Sequence, residues 1–493
     1  MKEITLEDLI ENVEKYNPEG VLAVKKAYDT AKALHDGQYR ESGEPYIMHP
    51  LNVAYILSEM HADTDTVCAG LLHDTLEDTE ISKEEIASRF NGNVANLVDG
   101  VTKIRKLDYQ SDCPLDDEEE KRLKEERNLA NTRKIIAGIT KDVRIILIKL
   151  ADRLHNMRTI DSKKNKKKIV ENSYETMELF VPLAYYLGAY RIKTELEDLS
   201  FKHINPGKYK EISNIRDEVN FKTRHLLEYM SEHIEEVLIN NNLSLEEIKI
   251  RIKNVYSLYK KLEEKGSISE IGDLLSLKVM LKEVSDCYLA LGLIHKEYNP
   301  VNGKIKDFIC NPKTNMYQSL HTTVFAPEGR LVQTQIRTTD MDRVASFGLA
   351  TYWDIHKGNA RDEMQNCLRN KFQFYESLTE IDQDFENNLE FVKQAKKELL
   401  GNNVFVYSMT GERFMLPEGS TAIDFAYKIH SDIGNTMVYA IVNDRPVDAT
   451  YVLKSKDRVQ IITDVMSYGP RKEWESVVRT SAARRKIREH NKK

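Results

Sequence analysis

The sequence predicts a multidomain chain: an all-α part over residues 1–203, an α+β part behind it and a small strand-rich module further on. Three observations predict this. The chain is 493 residues long, room for about two to four domains of ordinary size. Apolar residues recur at helical spacing through most of 1–203, with Gly and Pro sparse between the runs. From about residue 245, short runs alternate apolar with polar residues, as half-buried strands do.

Composition narrows the class. Hydrophobic residues make up 41% and charged residues 31%, which suits a soluble, helix-rich protein. A net charge of −7 excludes a chain built throughout as a partner for nucleic acid. Charge is nevertheless uneven. "LDDEEEKRLKEER" (115–127) reads as a charged insertion and "RTIDSKKNKKK" (158–168) as a basic loop. Cys68, Cys113, Cys287, Cys310 and Cys367 are scattered and form no C-x-x-C, which argues for a reducing compartment and against a zinc ribbon or disulfide frame. The N-terminus "MKEITLEDLIENVEKY" is an amphipathic acidic helix rather than a signal peptide. No long apolar run is present, so no membrane span is expected and the protein reads as cytoplasmic.

The helices follow in order. "VLAVKKAYDTAKALHDG" (21–37) ends at a Gly of the capping kind. "HPLNVAYILSEMHA" (49–62), "DTVCAGLLHDTLEDT" (65–79), "NVANLVDGVTKI" (93–104) and "KDVRIILIKLADRLHNMRTI" (141–160) continue the series. Ionisable residues interrupt their apolar texture. His49 opens one helix, His73 and Asp74 are expected in the middle of another, and Asp152 ends the apolar run "IILIKLA". Imidazole nitrogens and carboxylate oxygens together suit a Mn, Fe or Zn centre. Neighbours on a helix point about 100° apart, so His73 and Asp74 share one ion only if it sits over the helix edge. Glu77 and Asp78 lie one turn after them, placed to activate water or orient a second ion. A solvated helix face would equally account for Glu77 and Asp78. Asp152 favours the metal, because a carboxylate after a buried run needs a partner.

The order H … HD … D, with "LLHDTLEDT" and "IKLADRLHNMRT", resembles the HD phosphohydrolase domain of the RelA/SpoT homologue family, the (p)ppGpp synthetases and hydrolases. The likeness extends over "HDGQYRESGEPYIMHPLNVAYIL" (35–57), "LVDGVTKI" (97–104) and "PLAYYLGAYRIKTELEDLSF" (182–201). It implies His49, His73, Asp74 and Asp152 as metal ligands, with Mn2+ as the ion. It implies Glu77 and Asp78 as the pair that activates the attacking water. Arg40, Ser42, Asn156 and Thr159 match residues lining the nucleotide pocket, and Lys103 a phosphate contact. Glu41 and the pair Tyr185–Tyr186 depart from the family pattern. Glu41 stands where Lys is common, and Tyr185–Tyr186 replaces His-Arg or Asn-Arg. Both bear on affinity or on the choice between tetra- and pentaphosphate, and neither touches the metal shell.

In the α+β part, "EEIKIRIKNVYSLYKKLEEKG" (246–266) reads as a strand running into a basic helix. "LLSLKVML" (274–281), "QSLHTTVFA" (318–326) and "RLVQTQIRT" (330–338) read as strands, "DCYLALGLIHKEY" (286–298) and "TDMDRVASFGLATYWDIHK" (339–357) as helices. Residues 204–358 resemble the family's nucleotidyltransferase-like synthetase domain, which moves pyrophosphate from ATP to the 3′-hydroxyl of GDP or GTP. That transfer needs a cationic clamp, magnesium carboxylates and a base. Arg251, Lys253, Ser257 and Lys261 match the phosphate-binding segment and Asp273 the first magnesium carboxylate. Tyr317 matches the residue that stacks on guanine, with His321 near it, and Gln335 and Arg337 lie in the "QIRT" strand. The departures strike the chemistry. Gln333 replaces the catalytic glutamate, and a neutral amide binds magnesium poorly and accepts no proton. "IRIK" (250–253) replaces Gly-Arg-Pro-Lys. Met316 replaces a Gly, where a positive φ is expected to be lost. Lys278 replaces an Arg and with it a bidentate fork. The four together imply a degenerate site, with Mg2+ relevant only if synthesis survives, and a domain that serves as structural partner or as a sensor of GDP or GTP.

Residues 359–401, including "RDEMQNCLRNKFQFYESL", read as a helical linker. Residues 402–464 read strand–turn–strand–helix–strands and resemble a TGS domain, a small ubiquitin-like β-grasp fold. In ribosome-bound relatives the His of its helix meets the tRNA 3′ end. His430 matches it, the alternative being an ordinary helix histidine beside the core. Residues 465–493 read as a basic tail, the remnant of a helical domain: 471–493 carry nine Lys/Arg against three Glu. Relatives continue into a helical region and an ACT domain, and with the chain stopping at Lys493 those modules are expected to be missing. The function expected is Mn-dependent hydrolysis of the 3′-diphosphate of ppGpp or pppGpp to GDP or GTP plus pyrophosphate. A bifunctional synthetase/hydrolase and a non-catalytic tRNA-, ribosome- or nucleotide-sensing protein are the alternatives.

Overall fold

Reciprocal capping opens the first helix. The Thr5 hydroxyl accepts the Asp8 N–H and the Asp8 carboxylate accepts the Thr5 N–H, starting α1 (Leu6–Tyr16). The computed structural model describes residues 3–104, 141–268, 274–313, 315–351 and 403–492, with positions 129, 130, 132–135, 138, 271, 353, 362, 364, 387 and 389–391 between them. The insertion 115–127, most of the linker 359–401, and Asp273 therefore lie outside the described residues. Residues 1–102 and 143–367 form one compact unit, residues 103–142 and 368–493 another.

The first part is all-α, as expected. After α1 come α2 (Val21–Leu34), α3 (Met48–Glu59), α4 (Thr64–Leu72), α5 (Thr75–Asp78), α6 (Lys83–Arg89), α7 (Gly92–Ile104) and α8 (Arg144–Arg158). Then follow α9 (Lys166–Glu175), a π turn over Thr176–Phe180, α10 (Val181–Tyr186) and α11 (Tyr190–Ile204). Residues 66–72 of α4 are all buried, and so are 144–151 of α8, so both helices are enclosed by neighbours on every side. The charged residues of that interior are paired. Asp63 caps α4 by accepting the Thr66 N–H (3.2 Å), and Arg144 Nη1 lies 3.3 Å from its Oδ1.

The single helix expected over 65–79 is two. α4 ends at Leu72, His73 and Asp74 form a turn, and α5 is one further turn. Side chains take the carbonyls that the helical ladder would use. His73 Nδ1 donates to the Gly70 carbonyl (2.8 Å) and Thr75 Oγ1 to the Leu72 carbonyl (2.7 Å), and such local bonds compete with helix continuation. His73 and Asp74 thus sit at a helix end rather than mid-helix.

The middle part packs α12 (Pro206–Asn240), α13 (Val255–Lys265) and α14 (Val284–Glu297) with a sheet of β1 (Leu245–Ile252), β2 (Leu275–Leu281), β3 (Lys306–Asp307), β4 (Leu320–Phe325) and β5 (Leu331–Thr338). The order is β1-β2-β5-β4-β3, with β2 parallel to β5 and the other pairs antiparallel. Side chains alternate across a strand. Leu277, Val279, Leu281, Leu320, Val324, Val332 and Ile336 enter the core with Leu227, Leu238, Cys287 and Ile294. Their neighbours in register, Ser276 opposite Gln333 and Lys278 opposite Gln335, belong to the other face, as does His321 opposite Gln335. α15 (Thr339–Phe347) ends where Gly348 takes φ 63° and ψ −137°, a conformation helices do not contain; a 3-10 turn follows over Gly348–Thr351, and the expected end at 357 lies outside the described residues.

The other unit holds a five-stranded sheet, β6 (Asn403–Ser408), β7 (Arg413–Pro417), β8 (Met437–Val442), β9 (Arg445–Val447) and β10 (Arg458–Thr463), in the order β7-β6-β10-β8-β9. α16 (Ala422–Ile429) buries Phe425 and Ala426 in its core, and α17 (Ser431–Asn435) follows. This is the expected β-grasp arrangement. The segment read as a tail remnant is part of it. α18 (Trp474–Val477) and α19 (Ser481–Asn491) contribute Trp474, Ala483 and Ile487 to the same core. The buried Asp424 carboxylate fastens them by accepting the N–H groups of Arg479 (3.0 Å) and Thr480 (2.8 Å). Among the described residues no helix is long and apolar enough to cross a membrane.

Candidate active site

α3, the α4–α5 turn and α8 bring the expected ligands together. Donor atoms of His49, His73 and Asp152 lie within 4.8 Å of one another. Asp74 joins them, with Oδ1 3.3 Å from His73 Nε2 and Oδ2 3.7 Å from His49 Nε2. His49 Nε2 is 3.3 Å from Asp152 Oδ1. Because His73 donates Nδ1–H to a carbonyl, its Nε2 keeps the lone pair, and that buried atom has no hydrogen-bond partner. An orphaned imidazole nitrogen among two carboxylates and a second imidazole fits a divalent ion.

Electrostatics put His49 and Asp152 in their metal-binding forms. Burial holds His49 below the usual imidazole range, against the pull of Asp152 and Asp74. Burial pushes the Asp152 carboxyl up, but Lys149 (3.1 Å) and the His49 hydrogen bond outweigh it and leave it well below the usual range. At neutral pH the imidazole is neutral and the carboxyl ionised.

Three residues that sequence reasoning passed over complete the cluster. The Tyr46 hydroxyl lies 2.8 Å from both Asp74 Oδ2 and Asp78 Oδ2 and joins a candidate ligand to a candidate base. Burial and these two carboxylates drive its phenol far above the usual value. His155 Nδ1 is 2.7 Å from His49 Nδ1. Burial, with His49 and Arg40 adding to it, brings His155 down to about 2, so it is neutral. Lys149 is the third. Lys149 and His155 flank Asp152 at one-turn spacing on α8, a pattern visible in "KLADRLH"; nothing in the sequence marks Tyr46.

Glu77 is exposed on α5 and Asp78 half-buried beside Tyr46. Arg40 Nη2 donates to Asn156 Oδ1 (2.9 Å), and Asn156 Nδ2 donates to Asp152 Oδ1 (2.6 Å). These two nucleotide-pocket candidates therefore reach the cluster. Ser42 is exposed on the turn that the Gly43 N–H to Arg40 carbonyl bond closes. Thr159 caps α8, its hydroxyl donating to the His155 carbonyl (3.0 Å). Lys103 is exposed in the last turn of α7 and is assigned to the other compact unit.

A cavity of about 450 Å³ lies on the polar face of the middle sheet. Of the residues matched to the synthetase site, Arg251, Lys253, Tyr317, His321, Gln333, Gln335 and Arg337 line it, joined by Lys278, Lys306 and Lys313. Ser257 and Lys261 are not among its lining residues; they sit on α13, where Lys261 pairs with Glu264 (3.3 Å). Tyr185, read as a departure from the family pattern, lines this cavity with Tyr190 of α11. Met316 keeps φ 63° without being glycine, so the expected loss of positive φ does not occur. Gln333 Oε1 accepts from Gln335 Nε2 (2.9 Å), and the Tyr317 hydroxyl lies 2.6 Å from His321 Nε2. Burial, then Lys313 and Arg337, pull His321 down to about 3. In the other unit, His430 stands at the junction of α16 and α17 rather than within a helix. It is exposed and accepts the Asp432 N–H (3.2 Å).

Comparison with known proteins adds the following. Residues 27–190 match the HD domain, residues 250–360 the region found in RelA / SpoT proteins, and residues 404–463 the TGS domain. The chain is 40% identical over 495 residues to a guanosine-3′,5′-bis(diphosphate) 3′-pyrophosphohydrolase of Aquifex aeolicus, covering 100% of this chain and 68% of that protein. It is 40% identical over 482 residues to a GTP pyrophosphokinase of Myxococcus xanthus, covering 97% of this chain and 61% of the relative. It is 38% identical over 464 residues to a 3′-pyrophosphohydrolase of Haemophilus influenzae, covering 94% and 66%. The chain thus spans 61–68% of the length of these curated relatives.

Proposed function

The chain belongs to the RelA/SpoT family, and from that premise we propose that its first part hydrolyses the 3′-diphosphate of ppGpp or pppGpp, releasing pyrophosphate and GDP or GTP. One observation carries the reading: the buried His73 Nε2 has no hydrogen-bond partner and sits among His49, Asp74 and Asp152. His49, His73, Asp74 and Asp152 would hold a divalent ion, manganese by family resemblance, which supplies positive charge against the diphosphate oxygens.

The remaining chemistry falls to the chain. Water attacks the phosphorus joined to the 3′-oxygen, a new P–O bond forms, the P–O3′ bond breaks, and the 3′-oxygen takes up a proton. Glu77 and Asp78 receive the proton that the attacking water gives up. Tyr46 orients Asp78 by donating to its carboxylate. Arg40, held by Asn156, faces the substrate's phosphates with a fixed guanidinium. The middle domain makes no alarmone in this reading, because Gln333 offers an amide already bonded to Gln335 in place of a carboxylate. It is a candidate site for GDP or GTP, and the β-grasp unit, with His430 exposed, is a candidate contact for tRNA or ribosome.

Paired assays test the proposal. Wild-type protein with manganese should convert ppGpp to GDP and pyrophosphate, and GDP with ATP and magnesium should yield no ppGpp. Asp74→Ala should lower hydrolysis by more than about 100-fold, beyond what loss of an outer-shell partner does. Normal hydrolysis by that variant would remove the site assignment. Synthesis by the wild type would remove the silent-domain reading.

A further inference from the structure

We propose that His155 is a positioning residue for the metal centre: its Nδ1 accepts the Nδ1–H of His49 and so fixes the tautomer that leaves the His49 Nε2 lone pair for the ion. The proposal rests on the reading that His49, His73, Asp74 and Asp152 hold a divalent ion, and it adds a residue outside that set. His155 lies on α8 one turn after Asp152 and is 3% exposed. Its Nδ1 is 2.7 Å from His49 Nδ1. Two neutral imidazole nitrogens facing each other at that distance share one hydrogen, carried by one ring or the other.

A third group decides which. Arg40 Nη1 approaches the same His155 Nδ1 (3.4 Å), and a guanidinium has donors only. His155 Nδ1 is therefore the acceptor and His49 Nδ1 the donor, which puts the lone pair of His49 on Nε2. That atom faces Asp152 Oδ1 (3.3 Å) and Asp74 Oδ2 (3.7 Å). With the hydrogen on His155 Nδ1 instead, Arg40 would point a donor at an N–H, and His49 Nε2 would carry a hydrogen among the ligands. His73 reaches the same state through another partner, its Nδ1 donating to the Gly70 carbonyl (2.8 Å). Each imidazole ligand thus places its Nδ1 hydrogen on a buried acceptor and turns a bare Nε2 to the site, as metal-binding histidines do. Arg40 is held in this arrangement by its other arm. Its Nη2 donates to Asn156 Oδ1 (2.9 Å), and Asn156 Nδ2 donates to Asp152 Oδ1 (2.6 Å). One face of α8 therefore holds a carboxylate ligand through Asn156 and an imidazole ligand through His155.

The test is titration of the full chain with manganese alone, bound ion being read from loss of the free ion's paramagnetic resonance signal. His155→Phe keeps a ring and removes the acceptor, and it should weaken manganese binding about 10–100-fold, the range for loss of an outer-shell partner. His155→Gln, whose amide oxygen can accept both donors, should recover most of the affinity. Magnetic resonance of the imidazole nitrogens in the metal-free wild type, with the His49 signals identified by their loss in His49→Gln, should show His49 protonated at Nδ1 and bare at Nε2. That readout needs no His155 variant to fold. His49 protonated at Nε2, unchanged manganese affinity in a folded His155→Phe, or a His155→Gln that binds no better than His155→Phe would each overturn the proposal. Asp74→Ala keeps the two readings apart. If it binds manganese like the wild type, the ligand assignment fails, whereas loss of binding in Asp74→Ala without loss in His155→Phe would sink the role of His155 alone.

Discussion

Lys278, which the family resemblance sets in the place of an arginine, is a cation that titrates. Burial, then the nearby Arg337, lowers its ammonium to about 8, against the opposing pull of Asp342. The folded value lies below the unfolded one. Between about 8 and the ordinary 10.5, the unfolded chain therefore binds more protons and stability rises with pH. Anion binding runs the other way, since losing the ammonium removes a cation from the cavity wall. GTP affinity at the cavity that Lys278 lines should fall as pH rises from about 7 to about 9, and Lys278→Arg should flatten the fall because a guanidinium stays charged. Superimposable pH profiles for the two proteins would show that Lys278 does not face the ligand. Other single residues differ in how well the sequence announces them. The structure brings His49, His73, Asp74 and Asp152 together, a grouping that their residue types suggested and that the family resemblance implied. Tyr46 was not legible, since its two carboxylate partners meet it only when the loop before α3 folds onto the α4–α5 turn. Met316 was misread, because a residue's cost at φ 63° does not forbid it where surrounding structure holds it.

α4 shows how a helix can be clear in sequence while its end is not. Its apolar run predicts a buried helix, and the helix forms. The break at His73–Asp74 depends on which carbonyls the His73 and Thr75 side chains capture, and periodicity is blind to that. The start of α4 is equally specific. Asp63, buried, is pushed above the usual carboxyl range by burial, and Arg144 is the first of the groups opposing that rise. Removing Arg144 leaves the Asp63 carboxylate without its cation at the head of the helix that leads to two candidate metal ligands. Arg144→Ala should destabilise by about 3–5 kcal/mol, read as a lower midpoint in urea. The double variant Asp63→Asn with Arg144→Met should recover much of the loss. If the single variant unfolds at the wild-type midpoint, the pair does not hold the helix.

The first and middle parts were separable in sequence but form one compact unit, and the residues that join them are unremarkable to a reader of motifs. α11 serves both. Tyr190 at its start accepts from Arg251 (3.1 Å), Glu195 pairs with Arg158 at the end of α8 (2.6 Å), and Asp198 accepts the N–H groups of Val255 and Tyr256 that begin α13. The turn before α11 meets Gly348, whose neighbour Leu349 donates its N–H to the Leu187 carbonyl (2.9 Å). A Cβ on Gly348 would collide with the Leu187 carbonyl oxygen and with the Gly188 backbone, and φ 63° with ψ −137° suits only glycine. Gly348→Ala should therefore cost the backbone strain of about 1–3 kcal/mol and also push the Leu187–Tyr190 segment away. That displacement should loosen Tyr190 from Arg251 and weaken GTP binding at the cavity along with stability. Gly303→Ala is the control. Gly303 also has positive φ (70°), but a Cβ there meets nothing within 4 Å, so it should carry the strain and leave GTP binding alone. Equal effects of the two substitutions on stability and binding would show that backbone strain, and not the close approach of the two segments, sets the behaviour of this junction.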